Sequence, residues 1–94
     1  MPIRSIRHKG LRRLFEDGDE RGVPPASVDK LRDMLLAIDT AQTVDDLGVL
    51  PGWRLHPLKG KLKGRWGLTV TGNWRLTFKF EDGDAFNLDL VDYH

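Results

Sequence analysis

The chain has no cysteine, a single tyrosine and three histidines in 94 residues. Without thiols it can hold neither disulfides nor thiolate metal sites, which fits a reducing, cytoplasmic setting. No stretch approaches the ~18 consecutive apolar residues of a membrane span. The opening "MPIRSIRHKG" carries charge throughout instead of the apolar run of a secretory signal. His8, His56 and His94 lie far apart, and no H-x-x-x-H or clustered-carboxylate pattern links them, so no metal site is expected. Gly60, Gly64 and Gly67 match neither a P-loop nor a dinucleotide fingerprint, and no serine sits on a nucleophile elbow. Acid is missing too, from one long stretch: residues 53–80 contain no Asp or Glu.

What is present is a soluble globular composition, 39% hydrophobic and 31% charged, in a length that builds one core; residues 1–94 are therefore read as a single domain. The net charge of +1 conceals a partition. Residues 1–52 hold 8 bases and 9 acids, residues 53–80 hold 7 bases, and residues 81–94 hold 5 acids and no base. The basic block also carries Trp53, Trp66 and Trp74. Basic charge interleaved with aromatics is the footprint of a polyanion-binding surface, while a solvated strand face has the same composition.

Residues 2–6 read as a short strand. From Lys9, Leu11, Leu14 and Phe15 recur at helical spacing up to "EDGD" at 16–19, which marks a first helix. A Pro-rich start and the stripe Val28, Leu31, Met34, Leu35 and Ile38 mark a second. Residues 43–52 read as a linker or one helical turn closed by Pro51 and Gly52. Thereafter the period becomes two, with strands expected at 53–58, 65–70, 74–80 and 85 to about 92, and "TGN" and "EDGD" as turns. Strand alternation puts Trp53, Leu55, Trp66, Leu68, Val70, Trp74, Leu76, Phe78, Phe80, Phe86, Leu88 and Leu90 on one face, which the helices must cover. The opposite face carries Arg54, His56, Arg65, Thr69, Arg75, Thr77, Lys79, Asn87, Asp89 and Tyr93. The fold class is α+β, with helices on one face and an open basic sheet on the other.

Cutting RNA without metal needs a base for the 2′-OH proton, an acid for the leaving 5′-oxygen, and cations for the charge on phosphorus. Histidine is the readiest acid or base at neutral pH, its reference pKa being ~6.5 against ~10 for tyrosine and ~10.4 for lysine. His56 lies on the polar face, and Arg75 on a central strand is suited to clamp phosphate through its planar donors. Arg54, Lys61, Lys63, Arg65 and Lys79 would bind RNA through their charge. His8, at a helix start, is given no chemistry. Three classes follow: an endoribonuclease, a non-catalytic RNA- or ribosome-binding inhibitor of translation, and a protein-interaction domain. The basic face argues against the third.

"IRSIRHKGLRRLFE" at 3–16, "HPLKG" at 56–60, "NWRLTFKFEDGDA" at 73–85 and "DYH" at 92–94 resemble the HigB branch of the RelE-type toxins of bacterial type II toxin-antitoxin systems, in order and across nearly the whole chain. The resemblance implies a RelE-like β-α-α-β-β-β fold, with two N-terminal helices packed on one face of a small, mainly antiparallel sheet. It implies a ribosome-dependent mRNA interferase with no cofactor, acting on message in the ribosomal A site. The same resemblance brings a helix-turn-helix antitoxin of HigA type, through which alone operator DNA would be bound, and no membrane partner. Its active site would comprise His56, Lys59, Arg75, Tyr93 and His94, with Asp92 in support. Two departures stand out: "KLK" at 61–63, where relatives commonly place an acid after the glycine, and Phe86, where many have tyrosine.

Overall fold

The computed structural model describes residues 1–92. Helix α1 (Lys9–Asp17) begins at His8, whose Nδ1 accepts the Leu11 N–H at 3.0 Å. That bond satisfies one of the unpaired donors of the first turn and gives His8 a structural role. Gly18, at φ 70°, closes the helix: its N–H donates to the Leu14 carbonyl and the following Asp19 N–H to the Arg13 carbonyl. Helix α2 (Val28–Thr40) follows a short 3₁₀ turn at Pro25–Ser27 and buries all five residues of the expected stripe. Residues Val44–Val49 form a further 3₁₀ turn. The Asp46 carboxylate accepts the Gln42 and Thr43 N–H groups there, and these bonds hold its pKa below the ordinary carboxylate value.

Four strands form one antiparallel sheet in the order β1 (His56–Pro57), β2 (Arg65–Thr69), β3 (Trp74–Glu81) and β4 (Asp84–Asp92). The expected strand at 53–58 is cut to two residues, because Arg54 turns into the left-handed region at φ 48° and 53–55 leave the ladder. The segment expected as a strand at 2–6 runs parallel to β4, bridging Ile3 to Ala85 and Ile6 to Leu88. Its backbone hydrogen bonds to β4 include Arg4 N–H to the Ala85 carbonyl at 2.8 Å and Arg7 N–H to the Leu88 carbonyl at 2.7 Å. The Met1 amine donates to the Ala41 carbonyl, so the N-terminus also ties the sheet to the end of α2.

Leu68, Val70, Leu76, Phe78, Leu88 and Leu90 pack with both helices into one core. Strict alternation fails once. Thr77 pairs with Asp89 but Lys79 pairs with Phe86, so β4 holds one extra residue, and Asn87 takes a left-handed φ of 53°. A bulge of this kind exchanges faces for all that follows. Ala85 is therefore fully buried, and Phe86 leaves the core face to which alternation assigns it and pairs with Lys79. The three tryptophans are half-buried and pack against the core, so they are not the exposed stacking platforms that an interleaved basic block suggests. Among the described residues, no helix is long and apolar enough to cross a membrane.

The tightest backbone approach joins α1 to the turn before α2: a Cβ on Gly10 would fall 1.9 Å from the Gly22 carbonyl oxygen. Alanine normally gains about 1 kcal/mol over glycine inside a helix. Here the clash is with main chain, which cannot swing away. Gly10→Ala is expected to lose about 1–3 kcal/mol net, as overpacking does. Gly72→Ala, with nothing within 4 Å, should stay within about 0.5 kcal/mol of the parent. Urea unfolding checks both, and equal midpoints would contradict the close approach.

Candidate active site

The face of the sheet away from the helices is organised by its register into cross-strand rows. His56 pairs with Gly67, Gly67 with Thr77, and Thr77 with Asp89, so these four positions form one row across all four strands. Thr69, Arg75 and Val91 form the next row, and Arg65, Lys79 and Phe86 the row on its other side. Directly paired residues share a face, so His56 and Arg75 look out on the same side. Standard strand spacings put their Cα atoms roughly 12 Å apart, a gap that long side chains and a phosphate group can close between them.

His56 is half-buried, and its Nδ1 lies 2.6 Å from the Arg54 carbonyl oxygen. Its ring stands over Gly67: a Cβ added there would lie 3.1 Å from Nε2 and 3.2 Å from Cε1. Lys59 follows within three residues, in an exposed loop that continues through a 3₁₀ turn at Gly60–Leu62. Gly60 and Gly64, at φ 65° and 92°, make that loop's two sharp turns. Its base is fixed by Leu58, which is buried and donates its N–H to the Arg65 carbonyl at 2.9 Å. Lys59, Lys61 and Lys63 are all exposed, and among the described residues none forms an ion pair.

Arg75 is half-buried, and its Nη1 donates to the Thr71 carbonyl at 2.6 Å and the Trp74 carbonyl at 3.1 Å. The turn at 71–73 thereby fixes the direction of the guanidinium. The other two strand cations have internal partners. Arg65 reaches across the sheet to donate from Nη2 to the carbonyl of Asn87, and its Nε is buried without a hydrogen-bond partner among the described residues. Lys79 pairs with Glu81 at 3.1 Å. Arg54 is exposed. Asp92 is exposed and pairs with Trp74, whose parity is that of the core face. Tyr93 and His94 lie outside the described residues.

The structure thus places His56 and Arg75 on one side of the sheet, with the lysine loop at the β1–β2 end, next to the Arg65 row and on the opposite side of the His56 row from Arg75. Three contributors were not apparent as such in the sequence. Gly67 had a usable signal, since a lone glycine inside a strand marks close approach by another group. The Arg54 carbonyl had none, because nothing about an arginine announces a left-handed backbone. Thr77, only 1% exposed although it belongs to the polar row, reads in sequence as one more surface threonine. Among the described residues, no three His, Asp or Glu side chains gather as they would around a metal ion.

The chain was compared with known proteins on this basis. It is 50% identical over 92 residues to the endoribonuclease HigB of Proteus vulgaris, covering 98% of this chain and 99% of that one. Toxin HigB-1 of Vibrio cholerae is 35% identical over 86 residues, covering 90% of each. In fold, the chain resembles the crystal structure of the E. coli DinJ-YafQ toxin-antitoxin complex with a TM-score of 0.60 at 16% identity, covering 99% of this chain and 94% of that one. Residues 4–94 match the family described as RelE-like toxin of type II toxin-antitoxin system HigB, so the chain belongs to the HigB-like toxins, each of which is one half of a toxin-antitoxin pair.

Proposed function

We propose that this chain is a ribosome-dependent endoribonuclease that cuts mRNA in the A site and so arrests translation. The carrying observation is a half-buried histidine, held by a main-chain carbonyl, on the same sheet face as Arg75 and followed along the chain by an exposed lysine loop. The P. vulgaris relative, an endoribonuclease by name at 50% identity, supports the same activity. A module that only occupied the ribosome would need the lysines but not a seated imidazole.

The chemistry needs no cofactor. His56, Tyr93 and His94 supply the acid and the base, with Asp92 in support. The proton of the 2′-OH passes to the base as that oxygen attacks phosphorus, and the departing 5′-oxygen takes a proton from the acid. Lys59 and Arg75 hold the phosphate as its charge grows. Arg54, Lys61 and Lys63 attract the RNA backbone by their field, with Arg65 and Lys79 contributing charge from positions already partnered within the sheet. The ribosome supplies position and register. Its setting is therefore the cytosol. Its silencing partner is a HigA-type helix-turn-helix antitoxin, and operator DNA is bound only by the joint complex.

Primer extension on message incubated with the protein, with and without translation, checks the dependence on the ribosome. Cuts inside reading frames should appear only when the message is translated. Efficient cutting of naked RNA at the same sites would contradict it.

The two strand cations separate catalysis from attraction. Arg75→Ala should reduce the cleavage rate roughly 10² to 10³-fold, by analogy with the loss of an oxyanion donor. Lys79→Ala should cost less than about tenfold, since its ammonium already faces Glu81. Single-turnover cleavage on programmed ribosomes measures both, and equal small losses would mean that the face acts only through its overall charge.

A further inference from the structure

Three non-glycine residues of the described chain have left-handed backbone, Arg54, Asp82 and Asn87. Two of these have a local reason. Asp82 precedes Gly83 in the β3–β4 turn and Asn87 makes the bulge, and Asp and Asn tolerate this region better than other residues. Arg54 is neither type. Its side chain is exposed and, among the described residues, makes no hydrogen bond that would hold the backbone there. What the conformation does is aim consecutive carbonyls at different targets. The Trp53 carbonyl accepts the Thr69 N–H at 2.7 Å, and the Arg54 carbonyl meets Nδ1 of His56 at 2.6 Å.

A carbonyl oxygen only accepts, so Nδ1 must carry the proton, and in the neutral ring Nε2 is then the acceptor. Nε2 lies over Gly67, the residue directly across the strand pair. Gly67 has no left-handed φ that would call for glycine on backbone grounds. It is needed for space, since any side chain would press on Nε2 and Cε1 of the ring and on Leu58 Cδ2.

We infer that Arg54, through its main-chain carbonyl, and Gly67, through its missing side chain, are positioning residues that fix His56 as the Nδ1–H tautomer with Nε2 as its acceptor nitrogen. This rests on the reading of His56 as a working member of a cleavage site. When Nε2 takes the 2′-OH proton, the 2′-oxygen forms its bond to phosphorus, the bond from phosphorus to the 5′-oxygen breaks with that oxygen protonated by the acid of the site, and Nδ1–H keeps its bond to the carbonyl. The carbonyl dipole then faces the imidazolium, as a carboxylate does in other histidine bases.

The test is the ¹⁵N spectrum of His56 in the full chain, at a pH where the ring is neutral, for the parent, Arg54→Gly, Arg54→Val and Gly67→Ala. The two Arg54 variants remove the same charge. Glycine keeps the left-handed backbone easily, whereas β-branched valine resists it. The parent and Arg54→Gly should show a protonated-type shift at Nδ1 and an unprotonated, pyridine-type shift at Nε2. Arg54→Val and Gly67→Ala should move both nitrogens toward the averaged shifts of a tautomer mixture. A parent spectrum with the proton on Nε2 overturns the inference even if no variant folds, and so does an Arg54→Val spectrum identical to the parent's. Cleavage by His56→Ala is scored separately. Full activity there, beside the expected parent spectrum, would leave the histidine seat intact and remove His56 from the reaction.

Discussion

The placement of side chains on the sheet depends on one extra residue in β4. Asn87 takes a left-handed turn that lets β4 pair with β3 in one register from Trp74 to Thr77 and in another from Lys79 to Glu81. Both faces follow from that shift. On the inner side it buries Ala85 beside Leu88 and Leu90, completing the floor against the helices. On the outer side it sets Phe86 beside Lys79 and leaves Asp89 at the end of the row that starts with His56. Other groups hold the bulge in place. Ser5 Oγ accepts the Asn87 N–H at 2.9 Å and lies 3.2 Å from its side-chain oxygen, while Arg65 donates to its carbonyl. The N-terminal segment, β2 and β4 therefore meet at one residue.

This arrangement divides the positive charge of the chain by role. Arg4 pairs with Asp84, Arg32 with Glu20 and Lys79 with Glu81, all at the surface, where such pairs contribute little to stability. Arg65 fastens the sheet to its own bulge. The lysine loop is different, since among the described residues Lys59, Lys61 and Lys63 are exposed and form no ion pair. The attraction of such charges for a phosphate backbone is strong at low salt and weakens as salt rises. Arg75 lies between these extremes, aimed by turn carbonyls and facing outward from its row.

Much of this could be read from the chain. Val28, Leu31, Met34, Leu35 and Ile38 gave α2 and its buried side directly, since five apolar residues at helical spacing with charges opposite have one stable arrangement. That His56 and Arg75 share a face was equally legible, because alternation holds for both. It stopped being a guide at two points. Phe86 was assigned inward because parity counting assumes that no residue is added to a strand. Residues 53–55 were read as strand because "WRLH" alternates, although Arg54 bends the chain away. In both cases the deciding factor was a left-handed backbone, at Asn87 and at Arg54, which counting alternate residues does not register. The tautomer of His56 belongs to the same class, fixed by a carbonyl that sequence cannot aim.

We propose that histidine, lysine and arginine side chains of this sheet, with Tyr93 and His94, cut RNA by attack of its own 2′-hydroxyl. That chemistry leaves a distinct mark on the product. The most direct measurement is the end-group composition of message cut on translating ribosomes, after the purified toxin has been cleared of metal and with magnesium left only at the level the ribosome requires. Cleavage that leaves 2′,3′-cyclic or 3′-phosphate ends opposite 5′-hydroxyls, at a rate unchanged when other divalent metals are restored, is the predicted result. Fragments ending in a 3′-hydroxyl and a 5′-phosphate, formed only when such a metal is added back, would contradict it.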